Sequence, residues 1–284
     1  MDHRMDSIKA QGRSAARQGA DGEASARRRR AAIALVAGLA AAALTLAHPI
    51  LKTAFDLPLE AALNAPARLF PGLDYALRIL DRFPLFQGVA LMALLCGALV
   101  EARRRSDVLQ IVIGVVSASF AAVLSRLVQH FLPPSPRPLY DPALHFVPPL
   151  GADVGALRDW TSYPSDHAAL LAGLACTLFL VRPRLALFAF AWVAALGLVR
   201  VYGGYHYVTD TIGGWLFGVG TVFAVAAAPL DRLEPVLAWA WRRRFLAAAL
   251  LFVAAVEAAD MFDDIRGVAK FILNAIRGVR GLWI

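Results

Sequence analysis

"RVYGGYHYVTD" runs from Arg200 to Asp210 between two strongly apolar runs, "LALFAFAWVAALGLV" (185–199) and "TIGGWLFGVGTVFAVAAAPL" (211–230). The second flank has the length a helix needs to cross a bilayer core, about 20 residues, and the first is somewhat shorter. The polar stretch is therefore a turn at a membrane boundary. His206 and Asp210 are four apart, so on a helix they share a face. An aspartate that accepts from one imidazole nitrogen fixes the tautomer and leaves the other nitrogen with an available lone pair, as a nucleophile or base requires. Gly203 and Gly204 permit a sharp turn that brings the Arg200 guanidinium back toward the imidazole. A planar cation beside a nucleophile suits a forked anion such as phosphate.

The rest of the chain agrees with a membrane setting. Of 284 residues, 59% are hydrophobic and only 18% charged, against about 25% charged in soluble domains. Mean hydropathy is +0.58. The expected architecture is all-α, an integral membrane bundle of six spans near 31–51, 85–100, 108–132, 167–181, 184–200 and 211–229. The first of these reads as a span rather than a cleaved leader, because it stays apolar to Leu51. Cys96 and Cys176 lie inside apolar runs without ligand neighbours, which argues against a disulfide framework or a metal site.

The net charge of +8 comes from arginines gathered just outside the apolar runs, the pattern of topology signals and not of nucleic-acid binding. Arg27–Arg30, Arg103–Arg105, Arg182 with Arg184, and Arg232 with Arg242–Arg244 all fall on one side if six spans alternate. That side is the cytoplasm, with the N-terminus. Segments 52–84, 133–166 and 201–210 then face outward. Residues 52–84 read as an amphipathic surface helix or part of a substrate entrance. Residues 1–30 read as a disordered basic N-terminus, 31–230 as the membrane domain and 231–284 as a tail. Within the tail, 245–262 is marginal for a seventh span, and 265–284 reads as an interfacial amphipathic helix with Ile265, Val268, Ile272, Ile276 and Val279 on one face.

Two more polar clusters fall on the outer side. In "YPSDH" (163–167), Ser165 or Asp166 caps an apolar helix whose first N–H groups make an anion site, and His167 beside it is placed to protonate a leaving oxygen. In "SRLVQHFLPPSPRP" (125–138), Arg137 sits in a stiff Pro-rich segment. Arg126 lies inside an apolar run, where a charge is a functional candidate. His3, His48 and His145 read as helix-end or solvated residues. Four helices thus carry two histidines, an aspartate and up to three arginines to one end.

These three clusters, in order, resemble the motifs of the type 2 phosphatidic acid phosphatase (PAP2) superfamily, K-x6-RP, PSGH and SR-x5-H-x3-D. Arg137-Pro138 matches the second half of the first motif, Pro164-Ser165-Asp166-His167 the second with one change, and Arg200, His206 and Asp210 the third at full spacing. The resemblance covers roughly 85–225. The lysine position is His130, and Arg126 is the other candidate for its charge. Asp166 replaces the glycine of the second motif, so its carboxylate must be paired or turned away from phosphate. Val199 replaces a serine.

The resemblance implies a phosphatase that needs no cofactor or metal. His206 forms a phosphohistidine, Asp210 orients it, and His167 protonates the leaving oxygen and then activates water. Arg137, Arg200 and Arg126 (or His130), with Ser165 and the backbone at Asp166, hold the phosphate oxygens. The implied substrate is a membrane lipid phosphate or an isoprenoid diphosphate, met at the outer face of a bacterial inner membrane. A lipid phosphotransferase would use the same residues, and a transporter or scaffold none of the chemistry. The oligomeric state is open, with Gly214-x-x-x-Gly218 a possible dimer face.

Overall fold

A computed structural model describes residues 2–83, 85–155, 157–158, 160–229 and 233–259, and these contain helices and no strand. Helix α1 spans Asp2–Leu51. A five-residue π-helical turn, Lys52–Asp56, joins it to α2, Leu57–Asn64. The other helices are α3 (Pro71–Arg82), α4 (Ala90–Val100), α5 (Arg105–Phe131), α6 (Asp166–Val181), α7 (Pro183–Tyr202), α8 (Val208–Ala227), α9 (Glu234–Arg242) and α10 (Arg244–Ala259).

The polar N-terminal stretch, residues 1–30, is expected to be disordered, and its described residues 2–30 are helical instead. Its alanines, arginines, glutamines and glutamate are strong helix formers, and the adjoining apolar run supplies the nucleus that an isolated segment would lack.

Four helical stretches among the described residues are long and apolar enough to cross a membrane: Asp21–Asn64, Arg105–Phe131, Pro183–Tyr202 and Val208–Ala227. A fifth is counted if the bent pair Pro71–Arg82 and Phe86–Val100 is one span. The run expected as a span at 167–181 is α6, which has 16 residues and falls below that length. The reason is its position. It is enclosed by α5, α7 and α8, and Ala168 through Leu178 are all buried. Neighbouring helices cover most of it, so its length follows its packing partners more than its contact with lipid.

Close helix approach explains the small residues of α6. A Cβ on Gly173 would strike Ala118 of α5, and Gly114 of α5 lies against Thr177. On the other side, Gly214 and Gly218 of α8 lie directly on the carbonyl oxygens of Ser165 and Ala169. The Gly-x-x-x-Gly pattern is therefore spent inside the chain, joining α8 to α6.

Two further segments take definite places. Residues 52–82 form the π turn, α2 and α3, whose buried Asp74 accepts from Arg68 N, Leu150 N and the Tyr202 hydroxyl. The apolar start of the tail is α10. It packs along α4 and α5 through Ala247, Ala248, Leu251 and Ala255, while Phe245, Leu250 and Val253 are exposed. The expected basic helix at 265–284 lies outside the described residues.

The bundle has two polar ends. At one, Arg30 donates to the Ala226 carbonyl, Arg105 pairs with Glu234, and Arg244 donates to the Val100 and Ala102 carbonyls. At the other end lie the loops 132–165 and 203–207.

Candidate functional site

His206 sits in the turn between α7 and α8 and is fully buried. Gly204 takes φ +74, and Tyr205 N bonds back to the Arg200 carbonyl, so α7 stops and the chain reverses within three residues. The imidazole is held at both nitrogens. Nδ1 lies 3.0 Å from the Ser162 carbonyl oxygen. That oxygen only accepts, so Nδ1 carries the proton and Nε2 the lone pair. Nε2 faces Arg137 Nη1 at 3.1 Å. Burial, and then the Arg137 charge, lower the His206 pKa to about 4, against the pull of Asp210. The ring is neutral at pH 7.

Asp210 does not accept directly from His206 as the four-residue spacing suggests. Its Oδ2 is 3.7 Å from Nδ1, beyond hydrogen-bond range. That oxygen instead accepts from Tyr207 N at 2.7 Å and from the Ser162 hydroxyl. Asp210 at N3 of α8 caps the helix it belongs to. It grips Ser162, and Ser162 grips His206.

Arg137 is 2% exposed, on the Pro-rich loop after α5. Its guanidinium donates to the carbonyls of Tyr205 (2.6 Å), Trp160 (3.2 Å) and Thr161 (3.3 Å) as well as facing His206. Burial lowers its pKa to about 10, with Asp166 and Asp210 opposing and Arg200 and Arg126 adding to the effect. It stays charged, within electrostatic reach of both other arginines.

The start of α6 brings in the second motif. Ser165 caps the helix by accepting from Ala168 N. Asp166, the departure from the family glycine, is paired. Its carboxylate accepts from His167 N at 2.8 Å, lies 3.4 Å from His167 Nδ1 and 3.6 Å from Arg126 Nη1. Arg126 also donates to Gln129 Oε1 at 2.6 Å and stacks on the Trp160 ring at 3.2 Å. His130 stands apart from this group. It is exposed, with its ring against Phe131. At about 100° per residue along the helix, it is Gln129 that faces α6, donating to the Pro164 carbonyl at 2.6 Å. Of the two candidates for the lysine charge, the structure brings Arg126 to the site.

Arg200 does not fold back onto His206. Its guanidinium reaches sideways to Gln87 Oε1 (2.9 Å) and Asp81 Oδ1 (3.2 Å). It lines a narrow cleft between α6, α7 and α8 with His167, Ser165 and Gln87. Below these polar groups the cleft is walled by Leu171, Val193, Leu196, Gly197 and Trp215.

Four contributors were not legible as site residues. Ser162 lies just ahead of the second motif. Gln87 precedes α4. His48 of α1 places Nε2 3.2 Å from Asp210 Oδ1. Lys52 reaches Asp141 at 2.8 Å and Ser135 at 3.2 Å, tying the Arg137 loop to the end of α1. Only long-range folding brings them in; His48 and Asp210 are 162 residues apart.

This geometry places the three clusters at one end of one bundle, and comparison with known proteins bears on it. Residues 134–234 match the PAP2 superfamily. The PAP2-matching segment contains Arg137, the second motif and all of the third. An undecaprenyl-diphosphatase of Sulfolobus acidocaldarius is 33% identical over 88 residues, 27% of this chain, and the chain spans 39% of the length of that relative. A crystal structure of a transmembrane PAP2-type phosphatidylglycerolphosphate phosphatase from Bacillus subtilis aligns with a TM-score of 0.48 at 18% identity, over 68% of this chain and 94% of that one.

Proposed function

We propose that the chain is a membrane-embedded phosphatase acting on a lipid phosphate or diphosphate through a phosphohistidine on His206. The observation that carries it is the state of His206. Its Nδ1 proton is committed to Ser162 O, so the neutral ring presents its lone pair from Nε2 to a position already occupied by a guanidinium. A phosphoryl group entering there would exchange with the imidazole for Arg137.

In the first half-reaction, the Nε2 lone pair forms a bond to phosphorus as the bond to the leaving oxygen breaks. His167 gives that oxygen a proton. In the second, His167 takes a proton from water, the water oxygen attacks phosphorus, and the N–P bond breaks to release inorganic phosphate. Arg137, Arg126 and Arg200 offset charge on the equatorial oxygens. The Arg126–Asp166 pair keeps the Asp166 carboxylate from repelling the substrate.

The apolar wall beneath Arg200 and His167 favours a substrate with a hydrocarbon chain. The partial likeness to an undecaprenyl-diphosphatase favours an isoprenoid diphosphate. Six crossings, with α6 as a short protein-enclosed one, would put the arginine-rich end in the cytoplasm and the histidines at the outer face of the plasma membrane. The test is phosphate release from a panel of lipid phosphates and diphosphates with EDTA present, for the wild type and His206→Ala. Activity that survives chelation and vanishes in the variant is expected. EDTA-sensitive release, or an active variant, overturns the mechanism.

A further inference from the structure

His48 reads from the sequence as an ordinary residue near the end of a helix. In the fold it is 8% exposed and directed at the buried carboxylate behind the reacting histidine. We propose that His48 is a positioning residue of the phosphoryl-transfer site, acting through Asp210. This rests on the reading of His206 as the nucleophile.

The carboxylate of Asp210 has its two oxygens divided between two jobs. Oδ2 holds Tyr207 N and the Ser162 hydroxyl. Oδ1 is met by His48 Nε2 at 3.2 Å. A carboxylate only accepts, so His48 presents Nε2–H to it. Two donors converge on one oxygen and leave the plane of the carboxylate free to turn about them; the donor on Oδ1 fixes that plane. Ser162 then follows, and its carbonyl is the acceptor for His206 Nδ1. The chain of control runs from His48 to Asp210, to Ser162, to His206.

The His48 ring is itself held. It stacks on Tyr163 at 4.2 Å between centroids, and the Tyr163 hydroxyl lies 2.9 Å from Thr45 Oγ1, one helical turn back on α1. The surrounding groups are mostly acidic. Asp56 is tied to Thr209 through its backbone N–H and hydroxyl. Glu60 is buried at 1% exposure, with neither carboxylate oxygen bonded. Both interact electrostatically with Asp210. Arg137 lies on the far side, against His206. Without the His48 donor, Asp210 Oδ1 would be a buried acceptor with no partner, a costly state that favours rotation of the carboxylate.

The test uses the full-length protein in detergent and the best substrate from the lipid panel. Four proteins are compared: wild type, His206→Ala, His48→Phe, which keeps a ring against Tyr163 and cannot donate, and His48→Gln, which can donate. His48→Phe is expected to lower kcat roughly tenfold or more, since a small misplacement of a reacting group from a distant change can cost up to about 10²-fold, with KM within about twofold. His48→Gln is expected to recover much of the loss. Wild-type kcat in His48→Phe overturns the proposal. So does equal loss in both variants together with an equal drop in melting temperature, which is the signature of a merely structural role. An active His206→Ala instead overturns the phosphohistidine reading itself, and is told apart because it does not involve position 48.

Discussion

Arg137 Nη1 lies 3.1 Å from Nε2 of His206, so the most deeply buried cation of the site rests on its proposed nucleophile. The same guanidinium bonds three backbone carbonyls from two loops. It is both a charge and a strut, and the two roles should separate on mutation. Arg137→Lys keeps a charge but loses the planar fork. It is expected to lower kcat/KM by about 10²-fold or more, the cost of losing a preorganised charge donor, and also to lower the melting temperature. Steady-state kinetics and thermal unfolding of the same preparation check both.

The pH dependence follows from the same contact. The His206 pKa is lowered to about 4 by burial and Arg137, against an ordinary value near 6.5. The neutral nucleophile thus persists until the pH falls toward 4, and the acid limb of kcat/KM due to His206 should lie there. Because the folded pKa is below the unfolded one, the linked stability is complete above about pH 6.5. It is lost as pH falls from there through the folded pKa. Arg137→Met removes a like charge and should move the limb upward, which a kcat/KM profile of the residual activity would read. A limb that stays in place would contradict this account.

Arg126 and His167 answer the Asp166 carboxylate, which would make it tolerable beside the proposed phosphate. Arg126→Met should raise KM severalfold by exposing substrate to that carboxylate. Adding Asp166→Asn should recover part of the loss, a coupling that a double-mutant cycle measures. Additive losses would show that the pair does not act as a unit.

The contact of α8 with α6 leaves no room at two positions. Gly218→Leu should prevent the helices from meeting across the Ala169 carbonyl and give protein that aggregates on extraction. Gly218→Ala is expected to cost about 1–3 kcal/mol, the usual scale of overpacking, seen as a lower unfolding temperature with the oligomeric state unchanged.

Orientation is open to direct test. A single reporter cysteine at Leu150 should react with a membrane-impermeant reagent from outside intact cells, and one at Arg104 should not. Reversed labelling would place the histidines inside.

Much of the site was legible because its residues repeat at fixed short spacings on helix ends. His206 with Asp210, and Ser165 with His167, needed only the chain between them. What the spacing could not carry was the direction of side chains. Arg200 turns to Asp81 and Gln87, so the guanidinium on the imidazole is Arg137's. Asp210 reaches His206 through Ser162, a partner from another loop. Spans were legible by apolar length where about half of the helix faces out of the bundle, as in α5, α7 and α8. That rule weakens for α6, whose surroundings are other helices. His48 and Lys52 had no local signal, because their meaning depends on partners far along the chain.

The pairing of His48 with Asp210 also orders events during synthesis. The two are separated by 162 residues, which at about 5–20 residues per second take on the order of 10–30 s to make. Until α8 is made and docks, His48 sits near the end of α1 with its future partner unmade. His206 leaves the ribosome only four residues before that partner. The candidate site is thus assembled by the return of the chain to its own beginning, and nascent chains released short of α8 lack the Asp210 carboxylate that His48 and Ser162 share.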